Sequence, residues 1–97
     1  MTMQQILSED QRLVVLRSLV DAGGEANESI LQDCLDVYGH RVGRDLVRNH
    51  MTWLSEQGLI SIDAVGSYMI ASLTSRGQDV AEGRSSVPGV KKPRIGV

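Results

Sequence analysis

The chain contains no phenylalanine, and its 97 residues include one tryptophan and two tyrosines. A core made from this sequence must be aliphatic, built from Leu, Ile, Val, Met and Ala. The single cysteine, Cys34, excludes an internal disulfide and with it the cross-linked framework of a small secreted domain. No apolar run approaches the roughly 20 residues that a membrane-spanning helix needs. Met1 to Leu7 lacks the basic start and apolar stretch of a signal peptide. These absences point to a cytoplasmic protein with no membrane role. Both prolines, Pro88 and Pro93, lie near the end of the chain, so nothing earlier is barred from helix by proline.

What is present fits one domain with a modest core. The net charge of −2 hides an asymmetry. Up to Gly83, six arginines face twelve acids, a net of −6. From Arg84 onward, Arg84, Lys91, Lys92 and Arg94 meet no acid, a net of +4. Residues 1–83 read as the folded domain. Residues 84–97, with both prolines and no periodic pattern, read as a basic, flexible tail.

Ser8 followed by Gln11 has the form of a capping box, and Leu13, Leu16, Leu19 and Val20 then recur at helical spacing up to Gly23-Gly24. Asn27 suits the cap of a second helix, whose apolar stripe is Ile30, Leu31, Cys34, Leu35 and Tyr38 and whose other side is acidic. A third helix runs from about Gly43 to Gln57, with Leu46, Val47, His50, Met51 and Leu54 inward. After Gly58 the period changes from 3.6 to 2. Ile60 to Ala64 and Met69 to Leu73 alternate around Gly66-Ser67, a two-residue hairpin turn that pairs Val65 with Tyr68. Thr74 suits the cap of a short fourth helix ending at Gly83. The fold class is therefore α+β, mainly α: three helices, a β-hairpin and a terminal helix.

Two segments carry a family resemblance. Leu54-Ser55-Glu56-Gln57-Gly58-Leu59-Ile60 resembles the L-x-x-x-G-L-I end of the recognition helix in winged helix-turn-helix regulators. Leu73-Thr74-Ser75-Arg76-Gly77 resembles the L-T-x-x-G that follows the wing in the MarR, PadR and ArsR groups. The size and the tail also resemble small winged-helix proteins of Mu-like phages and prophages. The resemblance spans about Ser8 to Gly83 and implies a DNA-binding regulator that reads duplex DNA with its third helix.

The outer arc of that helix has suitable chemistry. Arg44 and Arg48 suit guanine edges or phosphate, Asn49 suits adenine, and Thr52 suits phosphate or a thymine methyl. Arg41 and Arg44 stand where a helix N-terminus would meet a phosphate. The tail cations Lys91, Lys92 and Arg94 would add sequence-independent phosphate contacts. As a solvent-facing arginine, Arg48 is expected to contribute little to stability. Against DNA stand a wing tip without Lys or Arg and the acidic body. The other reading is a non-catalytic adaptor that docks a protein through the acidic second helix or the hairpin face bearing Val65, Tyr68 and Ile70. Homodimerisation through helix one, helix four or that hairpin face is expected.

No arrangement of Ser, His and acid suggests catalysis, and no phosphate-binding glycine loop is present, so neither an enzyme nor a cofactor is expected. Cys34 reads as a buried, metal-free thiol, because a thiolate site needs further ligands. His50 falls on the inner arc and reads as a core or boundary histidine. Trp53 reads as a packing residue.

Overall fold

The computed structural model describes residues 1–94. It contains α1 (Met3–Asp21), β1 (Glu25–Asn27), α2 (Glu28–Val37), α3 (Arg44–Glu56), β2 (Ile60–Val65), β3 (Tyr68–Leu73) and α4 (Ser75–Ala81). The strands form one antiparallel sheet in the order β1-β3-β2. With β3 central and α1 to α3 packed on the sheet, the arrangement is winged-helix-like, and the hairpin is the wing.

The first helix begins earlier than Ser8 suggests. A second T-x-x-Q pattern, Thr2 to Gln5, forms the capping box: Thr2 Oγ1 accepts from the Gln5 amide, and the Thr2 amide donates to Gln5 Oε1. Nothing between Thr2 and Ser8 breaks a helix, so the earlier cap prevails and Ser8 lies inside α1. The last turn before Gly39 closes as expected, with the His40 amide donating to the Leu35 carbonyl.

Asn27 caps α2 through its side chain and also ends β1, which pairs Glu25, Ala26 and Asn27 with Ser72, Ala71 and Ile70. That third strand carries no alternating signal in the sequence. The hairpin has the expected register, Val65 with Tyr68 through Ile60 with Leu73. Positive φ at its turn is confined to Gly66, as a two-residue turn with glycine first requires. Thr74 caps α4 by accepting from the Gly77 amide.

The core is aliphatic, as the composition requires. Leu16 and Leu19 of α1 meet Leu31 and Leu35 of α2 and Val47, Met51 and Leu54 of α3, with Leu59, Ile60 and Ala71 from the sheet side. Burying each such leucine contributes roughly 2 kcal/mol. On α2 the stripe is narrower than its sequence suggests. Leu31 and Leu35 are buried, Cys34 is half-buried, and Ile30 and Tyr38 are exposed; Leu46 of α3 is likewise at the surface. Cys34 therefore sits at the edge of the core, not within it.

Residues 84–94 depart from the flexible tail that their composition suggests. Val87 and Val90 are buried against the domain. The Gly89 carbonyl accepts from Arg12, and the Lys91 amide donates to the Glu9 carbonyl. Gly89 lies so close to Trp53 that a Cβ there would fall 2.6 Å from the ring. The rest of the expected tail, residues 95–97, lies outside the described residues.

Candidate nucleic-acid interface

The outer face of α3 is built around one buried carboxylate. Glu28 opens α2 on the same side as Leu31 and Leu35 and is 1% exposed. A carboxylate so far from water persists only when paired and hydrogen-bonded. Arg48 supplies the pair as a two-pronged contact: Nε and Nη2 donate to the two Glu28 oxygens, the latter at 2.8 Å. The same Nη2 donates to the Ser67 carbonyl at the wing tip at 2.9 Å. Arg44 Nη1 lies 3.9 Å from Glu28, and its Nε donates to Gln32 Oε1 at 2.8 Å. The Arg48 hydrogen bond holds the Glu28 carboxyl below its ordinary range despite burial, and Glu28 in turn raises the Arg48 guanidinium. One ionic centre thus joins α2, α3 and the wing.

The expectation that Arg48 stands free on the outer arc is corrected by this geometry. Its head group is engaged, and only its Nη1 makes no bond among the described residues. Arg41 is exposed in the loop before α3 and borders a shallow hollow with Gln32, Asp36 and Val42. Asn49 and Thr52 are exposed on α3, as is Asp45. Arg41, Arg44, Arg48, Asn49 and Thr52 therefore come together on one loop and helix face. The tail cations do not join them. Lys91 Nζ lies 3.4 Å from Asp10, Arg94 borders a hollow with Leu13, Val14 and Tyr38, and Lys92 is exposed.

Behind α3 runs a second polar network that the sequence did not reveal. Arg12 Nε donates to His50 Nδ1 at 3.3 Å, and its guanidinium stacks 4.1 Å from the Trp53 centroid. Arginine is always a donor, so His50 Nδ1 accepts and its Nε2–H donates to Gln11 Oε1 at 2.8 Å. The Gln11 amide then faces His40 Nδ1 at 3.4 Å, and His40 Nε2–H donates to Asp10 at 2.6 Å. Burial alone would raise the Asp10 carboxyl, but His40 and Lys91 together hold it below its ordinary range. This chain fastens α1 to α3 and to the segment carrying Gly89 and Lys91. Gln11 and His50, which read as a cap and a boundary residue, are its buried centre.

Burial, then the Arg12 charge and the neighbouring His40, push His50 down to about 4 from 6.5. A protonated His50 would turn an N–H toward Arg12. Between these two pH values the unfolded chain binds a proton that the folded chain refuses. Stability is therefore expected to fall as the pH falls through that window, by roughly 3 kcal/mol across it. His50→Gln keeps one donor and one acceptor but cannot titrate. Urea unfolding at several pH values should show a flatter slope over this range for the variant; equal slopes would contradict the assignment.

The fold and its exposed α3 face define the class, a small winged-helix-like α+β domain. Comparison with known proteins is more specific. The chain belongs to the family of the uncharacterized protein gp26 of Escherichia phage Mu, with which it shares 62% identity over 89 residues, 92% of this chain and 93% of the relative. It is also 54% identical over 77 residues to an uncharacterized protein of Haemophilus influenzae, covering 78% of this chain and 76% of that one. No family model matches the chain. No helix among the described residues is long and apolar enough to cross a membrane, and no group of three or more His, Cys, Asp or Glu among them could hold a metal ion.

Proposed function

We propose that this protein is a duplex-DNA-binding module of the winged helix-turn-helix type, a phage-type regulator that reads the major groove with α3. The reading rests on the ionic centre at Glu28. By tying Arg48 to both the α2 carboxylate and the wing backbone, it fixes helix and hairpin relative to each other and leaves Arg41, Asn49 and Thr52 exposed beside them. A preset helix and wing do not have to be ordered when DNA binds, which lowers the entropic cost of association. Asn49 suits a bidentate contact with adenine, and Arg41 suits a phosphate near the α3 N-terminus. Arg44 and the unbonded Nη1 of Arg48 add positive potential, partly offset by Glu28 and Asp45.

The test is selection of a binding site from random duplexes, followed by titration of variants. Asn49→Ala should cost roughly 1–3 kcal/mol on the selected site and relax its preference at one position. Arg41→Ala should weaken all duplexes alike and reduce the salt slope by about 1. Both residues are exposed, so thermal melts should match the wild type. Failure to select any site would overturn the proposal. The adaptor reading would then gain from one observation: Val65 and Tyr68 stand exposed side by side at the hairpin end.

A further inference from the structure

The surface where α1, α2 and α4 meet carries an unsatisfied charge of each sign. Arg17 and Asp21 lie one turn apart on α1, and neither joins an ion pair among the described residues. Beside them Val37 and Tyr38 project from the end of α2, 81% and 58% exposed. Three hollows meet around Tyr38. One lies toward Leu13, Val14 and Pro93, one toward Val20 and Ala81, and one toward Cys34 and Ala22. The patch thus holds a projecting aromatic ring and the apolar recesses to receive one.

We propose that this face is the interface of a two-fold homodimer. A patch that bears both knob and recess is complementary to itself, as a two-fold contact requires. The charges obey the same symmetry. Antiparallel α1 helices related by an axis passing between Arg17 and Asp21 set Arg17 of each copy opposite Asp21 of the other. Nearby charges are already paired within the chain, Lys91 with Asp10 and Arg84 with Glu82. Arg17 and Arg94 then face Asp21, so a partner of one charge sign, whether nucleic acid or acidic peptide, would meet both attraction and repulsion. A second copy meets each charge with its opposite. The face contains no residue of α3 or the hairpin, so this inference does not depend on DNA binding.

Sedimentation of the full chain over a concentration series tests it. The wild type should dimerise. Arg17→Asp and Asp21→Arg should each raise the dissociation constant by roughly tenfold or more, because each reversal sets like charges opposite one another twice across the axis. The double variant restores the opposite pairs with their signs exchanged and should dimerise to within about threefold of the wild type. Tyr38→Ala should weaken the dimer, and thermal melts show that each variant is folded. A monomeric wild type, a dimer indifferent to the single reversals, or a double variant as weak as the singles would overturn the proposal.

Discussion

Arg48→Ala is expected to destabilise the protein measurably at neutral pH, more than the removal of an unpaired arginine from the outer arc of a helix would. The loss arises on the other partner. Glu28 is buried, and Arg48 is its main counter-charge and donor; Arg44 lies farther off, at 3.9 Å. Removing the guanidinium leaves the carboxylate with only the Met69 backbone hydrogen bond and the more distant Arg44 against its burial, so its carboxyl rises from its lowered position. The pH dependence carries the diagnosis. In the wild type the depressed Glu28 contributes stability that is present above its ordinary value of 4.5 and is lost as the pH falls through its lower folded value. In the variant the carboxyl titrates higher, so acid relieves the defect. The gap between the two proteins should be widest near neutral pH and narrow on acidification. Urea unfolding at neutral and mildly acidic pH measures both; an unchanged midpoint would mean that the pair is an ordinary surface contact worth under about 1 kcal/mol.

Gly77→Ala is expected to cost roughly 3 kcal/mol, although helix propensity alone favours alanine by about 1 kcal/mol. Gly77 is the glycine of the L-T-x-x-G segment, and its place in α4 gives the reason for that spacing. A Cβ there would fall 2.0 Å from the Leu59 carbonyl oxygen and 2.9 Å from the Leu73 side chain. The obstacle is backbone and cannot swing aside. It is also fastened: the Thr74 amide donates to that same Leu59 carbonyl, and Thr74 Oγ1 donates to the Gly58 carbonyl. Relief requires α4 to move off the start of β2, which strains both bonds and loosens Val80 and Ala81 from the core. A thermal melt decides by sign: propensity predicts a gain, the steric argument a clear loss.

The elements that could be read from the sequence are those whose signal is local. The hairpin register follows from alternation on both sides of Gly66-Ser67, and Asn27 and Thr74 carry the side chains that a cap needs. The features that could not be read are pairings between distant positions. β1 is three residues long and pairs with a strand more than forty positions away, so nothing near Glu25 announces it. Residues 84–94 have a composition that argues against packing, but composition averages over Val87 and Val90, which are both buried in the core cluster.

The inward position of Glu28 is partly legible in the sequence. The residue precedes Leu31 and Leu35 at helical spacing, so the stripe already placed a carboxylate inward, and an inward carboxylate demands a cation elsewhere. That cation is Arg48 of α3, whose place on the outer arc suggests a solvent-facing residue. The polar outer arc is recognisable from its residue types, while the internal pairing of Arg48 with Glu28 is not. The same holds for His50, whose inward position is legible but whose partners Gln11 and Arg12 lie thirty-nine and thirty-eight residues earlier, on α1.

The central claim is that α3 and the wing form one DNA-facing surface. Titrating isotope-labelled protein with a short duplex at low salt, and following backbone amide shifts, tests it residue by residue. The account predicts shifts concentrated from Arg41 to Thr52 and at Gly66 and Ser67, with α1 around Arg17 unmoved. No shifts at low salt, or shifts confined to Lys91–Arg94 and α1, would contradict it.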